Sequence, residues 1–254
     1  RYLVVTMEDN KLKILGINFF NGSVEQVVKE LKSGGLLVVP SGPGLATIKN
    51  DRQYFKSLLY ADIAIADSGY MALIWNLYHK QKVNRISGLG FLNAFFADKA
   101  VMSTSNILLV DPTPKDAEAN IAYLNRIGFK LDINVSYLAP IYDKVNIIDP
   151  KLLSIIKQKK PAYVILNLGG GTQEKLGAYL KENLDYKPAI ICTGAAIAFL
   201  TGRQASIPNW GDKFFLGWLF RCIEKPKLYI PRYLKAFKLI VLMIKFDNRS
   251  PISV

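Results

Sequence analysis

Short apolar runs alternate with amphipathic segments along most of this chain, and this alternation constrains the fold more than any other feature of the sequence. Five of the runs are LLVVPS (36–41), DIAIA (62–66), NILLVD (106–111), AYVILNLG (162–169) and AIICTG (189–194). Apolar runs of this length are typical of strands that are buried on both faces. Because helical segments separate them, the pattern predicts an α/β fold with mostly parallel sheets and helices on both sides.

The rhythm divides the chain into an α/β core, residues 1–205, and a basic amphipathic helical appendage, residues 206–254. Within the core we predict two Rossmann-like halves, at about 1–100 and 101–205. Half of the 254 residues are hydrophobic, which is typical of a globular protein with a sizeable core. The first residues lack the pattern of a signal peptide, and no stretch approaches the roughly 18–20 apolar residues of a membrane span. Two isolated cysteines favour a reducing compartment.

Three loops follow predicted strands and contain glycine and polar residues: SGPG (41–44), DSG (67–69) and GGGTQE (169–174). Ligands of parallel sheets collect at the carboxyl ends of the strands, so these loops are candidates for a site. Asp67 lies directly after its strand. Its carboxylate is either a working group at the mouth of a site or a cap for the next helix, since Asp is also a good N-cap residue.

The appendage concentrates positive charge. The chain has a net charge of +13, which favours an anionic partner. Residues 221–249 contain eight Lys or Arg against two acidic residues, a net charge of +6. A helix over 232–246 would place four cations on one side and its apolar residues mainly elsewhere. Such a helix suits an anionic membrane surface, and the alternative is a helix packed on the core with a solvated basic edge.

Several familiar signatures are absent from the sequence. GGGTQEKLG (169–177) is not a Walker A loop, because Lys175 is followed by Leu, and no G-x-G-x-x-G follows the first strand. No Asp-x-Asp pair is present to hold a divalent metal against a nucleotide diphosphate. The single histidine, His79, has no neighbours that indicate a catalytic triad or a metal site. An enzyme of this sequence that cleaves a sugar nucleotide would therefore use cationic side chains and backbone N–H groups on the diphosphate.

Four blocks, in this order, resemble the WecG/TagA/CpsF glycosyltransferases over about residues 15–235: ADIAIADSG (61–69), RISG (85–88), LGGGTQEKL (168–176) and PNWGDKFFLGWLFRCIEKPKLYIPRYL (208–234). The resemblance implies an inverting transfer from a UDP-sugar, often of the N-acetylmannosamine type, to a polyprenyl-diphosphate-linked amino sugar. It implies no metal and no cofactor, and a cytoplasmic protein peripheral on the inner face of the bacterial plasma membrane. The implied partners are the donor, the lipid-linked acceptor and the anionic membrane surface, with no nucleic acid, and a homo-oligomer is left open.

The same resemblance assigns roles to individual residues. Asp67 matches the family's proposed general base, although the glycine that follows it in the family is Ser68 here. The residues implied to bind substrates are Arg85, Gln173, Glu174, Ser41, Gly42, Arg221, Lys227 and Arg232. The lysines expected to contact the membrane are Lys235, Lys238 and Lys245.

The sequence departs from the family pattern on the donor side. A Thr-x-Asn block reads Pro40-Ser41-Gly42, and a Gly-Gly-x-Phe-Asp block reads Gly194-Ala195-Ala196-Ile197-Ala198, so its aspartate is lost. These changes leave the donor sugar open. Two other functions are therefore kept as alternatives: a catalytically inactive membrane-adaptor relative, and a basic nucleic-acid-binding α/β protein. No RNA- or DNA-binding motif supports the second of these.

Overall fold

A computed structural model of the chain describes residues 10–104, 106–203 and 217–252. Six side chains within the last range are outside the described part: Trp218, Arg221, Glu224, Leu228, Arg232 and Lys235. The strands are β1 (Lys11–Ile14), β2 (Ile17–Phe20), β3 (Gly35–Val38), β4 (Ile63–Ile65), β5 (Ile107–Asp111), β6 (Ser136–Leu138), β7 (Tyr163–Leu166) and β8 (Ala189–Cys192).

These eight strands form one sheet in the order β1-β2-β4-β3-β8-β7-β5-β6. The β1–β2 hairpin is antiparallel, and every other neighbouring pair is parallel. Strands from the two predicted halves meet where β3 pairs with β8, with Gly35 opposite Ala189 and Val38 opposite Cys192. The predicted α/β class with a mostly parallel sheet is confirmed, and both halves contribute to a single sheet.

Helices cover both faces of the sheet. In chain order they are α1 (Val24–Leu31), α2 (Gly42–Leu45), α3 (Arg52–Tyr60), α4 (Gly69–Tyr78), α5 (Gly88–Ala97), α6 (Lys99–Met102), α7 (Pro114–Arg126), α8 (Pro150–Lys159), α9 (Thr172–Asn183), α10 (Ala196–Leu200), α11 (Gly217–Glu224), α12 (Pro226–Ala236) and α13 (Lys238–Phe246). One core contains side chains of α1, α5, α6, α7 and α10, and the other contains side chains of α2, α3, α4, α8, α9 and α13. The strands between them read as continuous apolar runs because both of their faces are buried.

Two predicted elements differ in extent. The segment 132–140, expected as a strand, contains a 3₁₀ turn (Ile133–Val135) and only the short β6. The helix expected at 232–246 is interrupted at Phe237, where α12 ends and α13 begins. The junction is a 3₁₀-type turn, in which Phe237 keeps helical backbone angles (φ −57°, ψ −29°) and its N–H donates to the backbone oxygen of Leu234 at 3.3 Å.

The alternative kept for the tail, a helix packed on the core with a solvated basic edge, describes α13. In α13 the buried residues are Leu239, Leu242 and Met243, which belong to the core on the α4 side of the sheet. Lys238 and Lys245 are exposed, and so are Val241 and Ile244. At about 100° per residue these four residues lie within about a third of the circumference of the helix, so α13 presents basic and apolar side chains to solvent together. Among the described residues, no helix is long and apolar enough to cross a membrane.

Candidate active site

A cleft of about 470 Å³ lies at the carboxyl ends of three neighbouring strands, β4, β3 and β8. The residues that follow these strands, Asp67, Val39 and Thr193, line it. The opposite wall comes from the appendage, through α11, α12 and the junction with α13. Its described lining residues are Leu219, Cys222, Ile230, Tyr233, Leu234, Ala236 and Phe237. The appendage thus completes the cleft as well as carrying charge.

Ser-Gly pairs begin three helices at the edge of the cleft: Ser41-Gly42 at α2, Ser68-Gly69 at α4 and Ser87-Gly88 at α5. Each serine caps its helix by accepting a hydrogen bond from the backbone N–H two residues after the glycine, at 3.3, 3.1 and 2.9 Å respectively. Serine favours this position because its oxygen satisfies an otherwise unpaired N–H. All six residues line the cleft, so the backbone of the first helical turns is close to any ligand.

The side chain that caps α4 belongs to Ser68 and not to Asp67. The sequence left Asp67 as either a cap or a working carboxylate, and the capping side chain is Ser68. Asp67 Oδ1 instead accepts a hydrogen bond of 3.0 Å from the backbone N–H of Gly88 at the start of α5. Its side chain remains 32% exposed and lines the cleft. The carboxylate is therefore fixed in position and still accessible.

Arg85 holds the same aspartate from a second side. Its Nε donates a 2.7 Å hydrogen bond to the backbone oxygen of Asp67, and its Nη2 lies 3.8 Å from Asp67 Oδ1. The Arg85 side chain is 14% exposed and also lines the cleft. A guanidinium keeps its charge at all physiological pH values. The cleft thus contains a carboxylate and a guanidinium that are close enough to form an ion pair.

Gln173 and Glu174, which the resemblance assigned to substrate binding, lie beneath the cleft and are not among its lining residues. Their side chains are 2% and 1% exposed. Gln173 accepts a 2.7 Å hydrogen bond from the N–H of Gly194 and donates to the backbone oxygen of Cys192 at 3.2 Å. In this arrangement Gln173 positions the loop that contains Thr193.

Glu174 sits beside Gln173 with both carboxylate oxygens occupied. Its Oε2 accepts from the N–H of Gly171 at 2.6 Å, and its Oε1 accepts from Gln173 Nε2 at 3.0 Å. Burial raises the pKa of Glu174 to about 7, even though both hydrogen bonds favour the ionised form. Glu174 therefore titrates near neutral pH inside the protein.

The other predicted site residues are placed as follows. Ser41 and Gly42 line the cleft with Asp67 and Arg85. Lys227, Lys238 and Lys245 are exposed and are not among the lining residues. The side chains of Arg221, Arg232 and Lys235 lie outside the described part of the chain, so their roles stay predictions. Two lining residues that the sequence reasoning missed are Tyr70 and Thr193. Thr193 follows a buried strand just as Asp67 does, and that position was the available signal.

A carboxylate at the carboxyl end of a parallel strand, with an arginine beside it in a cleft, is an arrangement typical of the active sites of α/β enzymes. Comparison with protein families agrees with this class. The family described as "Glycosyl transferase WecG/TagA/CpsF family" matches residues 12–251, so the chain belongs to that family. It is a glycosyltransferase of cell-surface polysaccharide synthesis, and the resemblance seen in the sequence is confirmed. The comparison with curated proteins found no match.

Proposed function

We propose that this protein transfers a sugar from a UDP-sugar to a polyprenyl-diphosphate-linked amino sugar, with inversion at the anomeric carbon and without a metal. The observation that carries this proposal is the accessible carboxylate of Asp67, held by the N–H of Gly88 and by Arg85 at the end of β4. An inverting transfer takes place in one displacement. It requires one base on the acceptor side and positive charge where the diphosphate leaves.

Asp67 is the proposed general base. Its carboxylate takes the proton of the acceptor hydroxyl as that oxygen attacks the anomeric carbon of the donor. The new glycosidic C–O bond forms while the bond from the anomeric carbon to the diphosphate oxygen breaks, and UDP leaves with the electron pair. Ser68 supports this role by capping α4, which leaves the Asp67 side chain accessible in the cleft.

Arg85 is the proposed partner of the leaving diphosphate. Its guanidinium lines the cleft beside Asp67, and the first turns of α4 and α5 present backbone N–H groups there. Helix N-termini favour anions, and guanidinium groups bind phosphate oxygens through paired hydrogen bonds. Gln173 and Glu174 contribute indirectly in this proposal, by fixing the loop after β8, because their side chains are buried beneath the cleft.

Docking at an anionic membrane surface is part of the proposal because the acceptor is a lipid. Lys238, Val241, Ile244 and Lys245 form one exposed face of α13. Exposed apolar side chains continue on α12 with Leu234, at the mouth of the cleft, and on the neighbouring α4 with Leu73 and Leu77. Mixed basic and apolar surfaces of this kind suit the headgroup region of a bilayer.

Product analysis tests the reaction. The protein is incubated with a panel of UDP-sugars and a short-chain prenyl-diphosphate-GlcNAc acceptor in the presence of EDTA, and UDP and the glycolipid are measured. Acceptor-dependent UDP release, with an inverted anomeric configuration in the product by NMR, is the expected result. Retention of configuration, or turnover that appears only when a divalent metal is restored, would contradict the proposed mechanism. Calorimetric binding of UDP without turnover by any sugar pair would favour the inactive adaptor relative.

A further inference from the structure

Two hydroxyl groups at the cleft have no hydrogen-bond partner among the described residues, although both oxygens are shielded from water. They are the phenol oxygen of Tyr70 and Oγ1 of Thr193. Both residues line the cleft. Most buried polar groups in folded proteins are paired, and an unpaired one lowers stability unless something else compensates. Both unpaired oxygens thus belong to residues that line the same cleft.

The fold places these hydroxyls on either side of β3. Tyr70 is the second residue of α4, three positions after Asp67, and its ring packs edge-to-face on Phe237 of the appendage with centroids 5.9 Å apart. Thr193 follows β8, the neighbour of β3 on the other side, and is 7% exposed. Gln173 fixes the loop at the next residue, Gly194. Each hydroxyl is thus carried by a well-supported segment.

Both groups are neutral, which decides the chemistry they recognise. Burial raises the pKa of the Tyr70 phenol, so it remains protonated at neutral pH and is able to donate as well as accept. Threonine has the same two capacities. Phosphate oxygens form stronger hydrogen bonds with the charged guanidinium of Arg85. Sugar hydroxyl and acetamido groups are neutral donors and acceptors, and a neutral hydroxyl is able to bond to both kinds of group. Rotation about the single χ1 torsion of Thr193 moves its Oγ1 between three staggered positions, so this hydroxyl is able to turn toward a ligand.

We propose that Tyr70 and Thr193 are specificity-determining residues that hydrogen-bond the hydroxyl or acetamido groups of a sugar in this cleft. The proposal rests on the glycosyl transfer proposed above and deepens it, because it assigns sugar recognition to two residues. The sugar belongs either to the donor or to the acceptor. Separate measurements with each substrate distinguish these two sources.

The test uses the full chain with Tyr70→Phe and Thr193→Val, which remove the hydroxyls and nearly preserve side-chain volume. Since neither hydroxyl has a protein partner, we expect melting temperatures that are unchanged or higher. The KM or Kd for one substrate should rise roughly three- to tenfold for each variant, the range expected for one hydrogen bond. A rise for the UDP-sugar identifies the donor, and a rise for the prenyl-diphosphate-GlcNAc analogue identifies the acceptor.

The matched controls are a tyrosine and a threonine that lie outside the cleft and whose hydroxyls have hydrogen-bond partners. The Tyr137 hydroxyl donates to Asp149 at 2.9 Å, and Thr113 caps α7 by accepting from the N–H of Asp116 at 3.2 Å. Tyr137→Phe and Thr113→Val should lower the melting temperature and leave KM and Kd unchanged.

Three outcomes would overturn the proposal. Lower melting temperatures with unchanged substrate constants in the cleft variants would assign both hydroxyls a purely structural role. If the wild type turns over and the cleft variants have unchanged KM and Kd values, sugar recognition by these residues is refuted. The proposed glycosyl transfer would be unaffected by that result. A wild-type protein that binds neither substrate by calorimetry would refute both proposals together.

Discussion

Arg85 donates a 2.7 Å hydrogen bond from Nε to the backbone oxygen of Asp67, and its Nη2 lies 3.8 Å from the carboxylate of the same residue. One side chain therefore fixes the backbone at the end of β4 and places a positive charge beside the proposed base. The contact spans 18 positions of sequence, across α4. It couples the geometry of the proposed base to the charge that we propose stabilises the leaving diphosphate.

Replacement of Arg85 by Lys tests this coupling. Lysine keeps the charge but lacks the planar fork, so it is unable to reproduce both contacts. We expect kcat to fall roughly 10- to 100-fold, a smaller loss than removal of the base should cause. Steady-state kinetics measures the change, and Lys115→Arg, at an exposed lysine of α7, is the control. Full activity of Arg85→Lys would show that charge alone is needed at this position.

Glu174 makes the stability of the protein depend on pH. Its folded-state pKa of about 7 lies above its ordinary value of 4.5, so the folded protein binds more protons between these values. The associated stability is fully present below about pH 4.5 and is lost as pH rises through about 7. The raised pKa of Glu174 corresponds to roughly 3 kcal/mol of unfolding free energy between the two pH limits.

Denaturant unfolding of the wild type and of Glu174→Gln at several pH values measures this effect. We expect the stability difference, wild type minus variant, to decrease as pH rises from 4.5 to 7 and to level off above. Glu118→Gln, at an exposed residue of α7, controls for general changes in charge. A difference that is constant over this range would contradict the raised pKa.

The close approach of Gly42 to Ser68 predicts a non-additive pair of mutations. A Cβ at position 42 would lie 2.8 Å from Ser68 Oγ, the atom that caps α4. Gly42→Ala should therefore displace the cap and cost about 1 kcal/mol of unfolding free energy. In a Ser68→Gly background that cost should shrink, because the displaced oxygen is absent. Chemical unfolding of both single variants and the double variant measures the coupling, and strict additivity would contradict the proposed clash.

The exposed face of α13 predicts how membrane affinity responds to charge. Lys238→Gln with Lys245→Gln removes two charges, each worth about 1 kcal/mol near an anionic surface. We expect roughly 10- to 30-fold weaker binding to vesicles that contain phosphatidylglycerol, with no change for neutral vesicles. The control is Lys151→Gln with Lys157→Gln, an equal change of charge on exposed residues of α8. Equal losses in the two double variants would indicate attraction by net charge instead of docking through α13.

The sheet and the position of Asp67 were predictable because they depend on local patterns. Apolar runs identify strands wherever both faces are buried, and a polar residue directly after such a run lies at the strand end. Three of the four Ser-Gly pairs in the sequence, those at positions 41, 68 and 87, begin helices at the cleft. Asp67 and these Ser-Gly pairs supply most of the polar residues that line the cleft.

Other parts of the site depend on contacts between distant segments. Gln173 reaches Gly194 across 21 positions, so only the packing of α9 against β8 reveals that its side chain is buried. The wall formed by α11 and α12 depends on where the tail folds back onto the core. The helix interruption at Phe237 was not predictable from the sequence, because neither a glycine nor an adjacent proline marks it. The lack of a partner at Tyr70 and Thr193 is likewise visible only when every neighbour is placed.

The central claim is that Asp67 is the general base, and its amide variant tests that claim most directly. Asparagine at position 67 is still able to accept the hydrogen bond from the N–H of Gly88, so the fold should be preserved. UDP release with a saturating donor and acceptor pair would be compared for the wild type, Asp67→Asn and the exposed control Asp185→Asn. We predict that kcat falls roughly 10²- to 10⁴-fold in Asp67→Asn alone, with an unchanged melting temperature. Full turnover by Asp67→Asn would contradict the account.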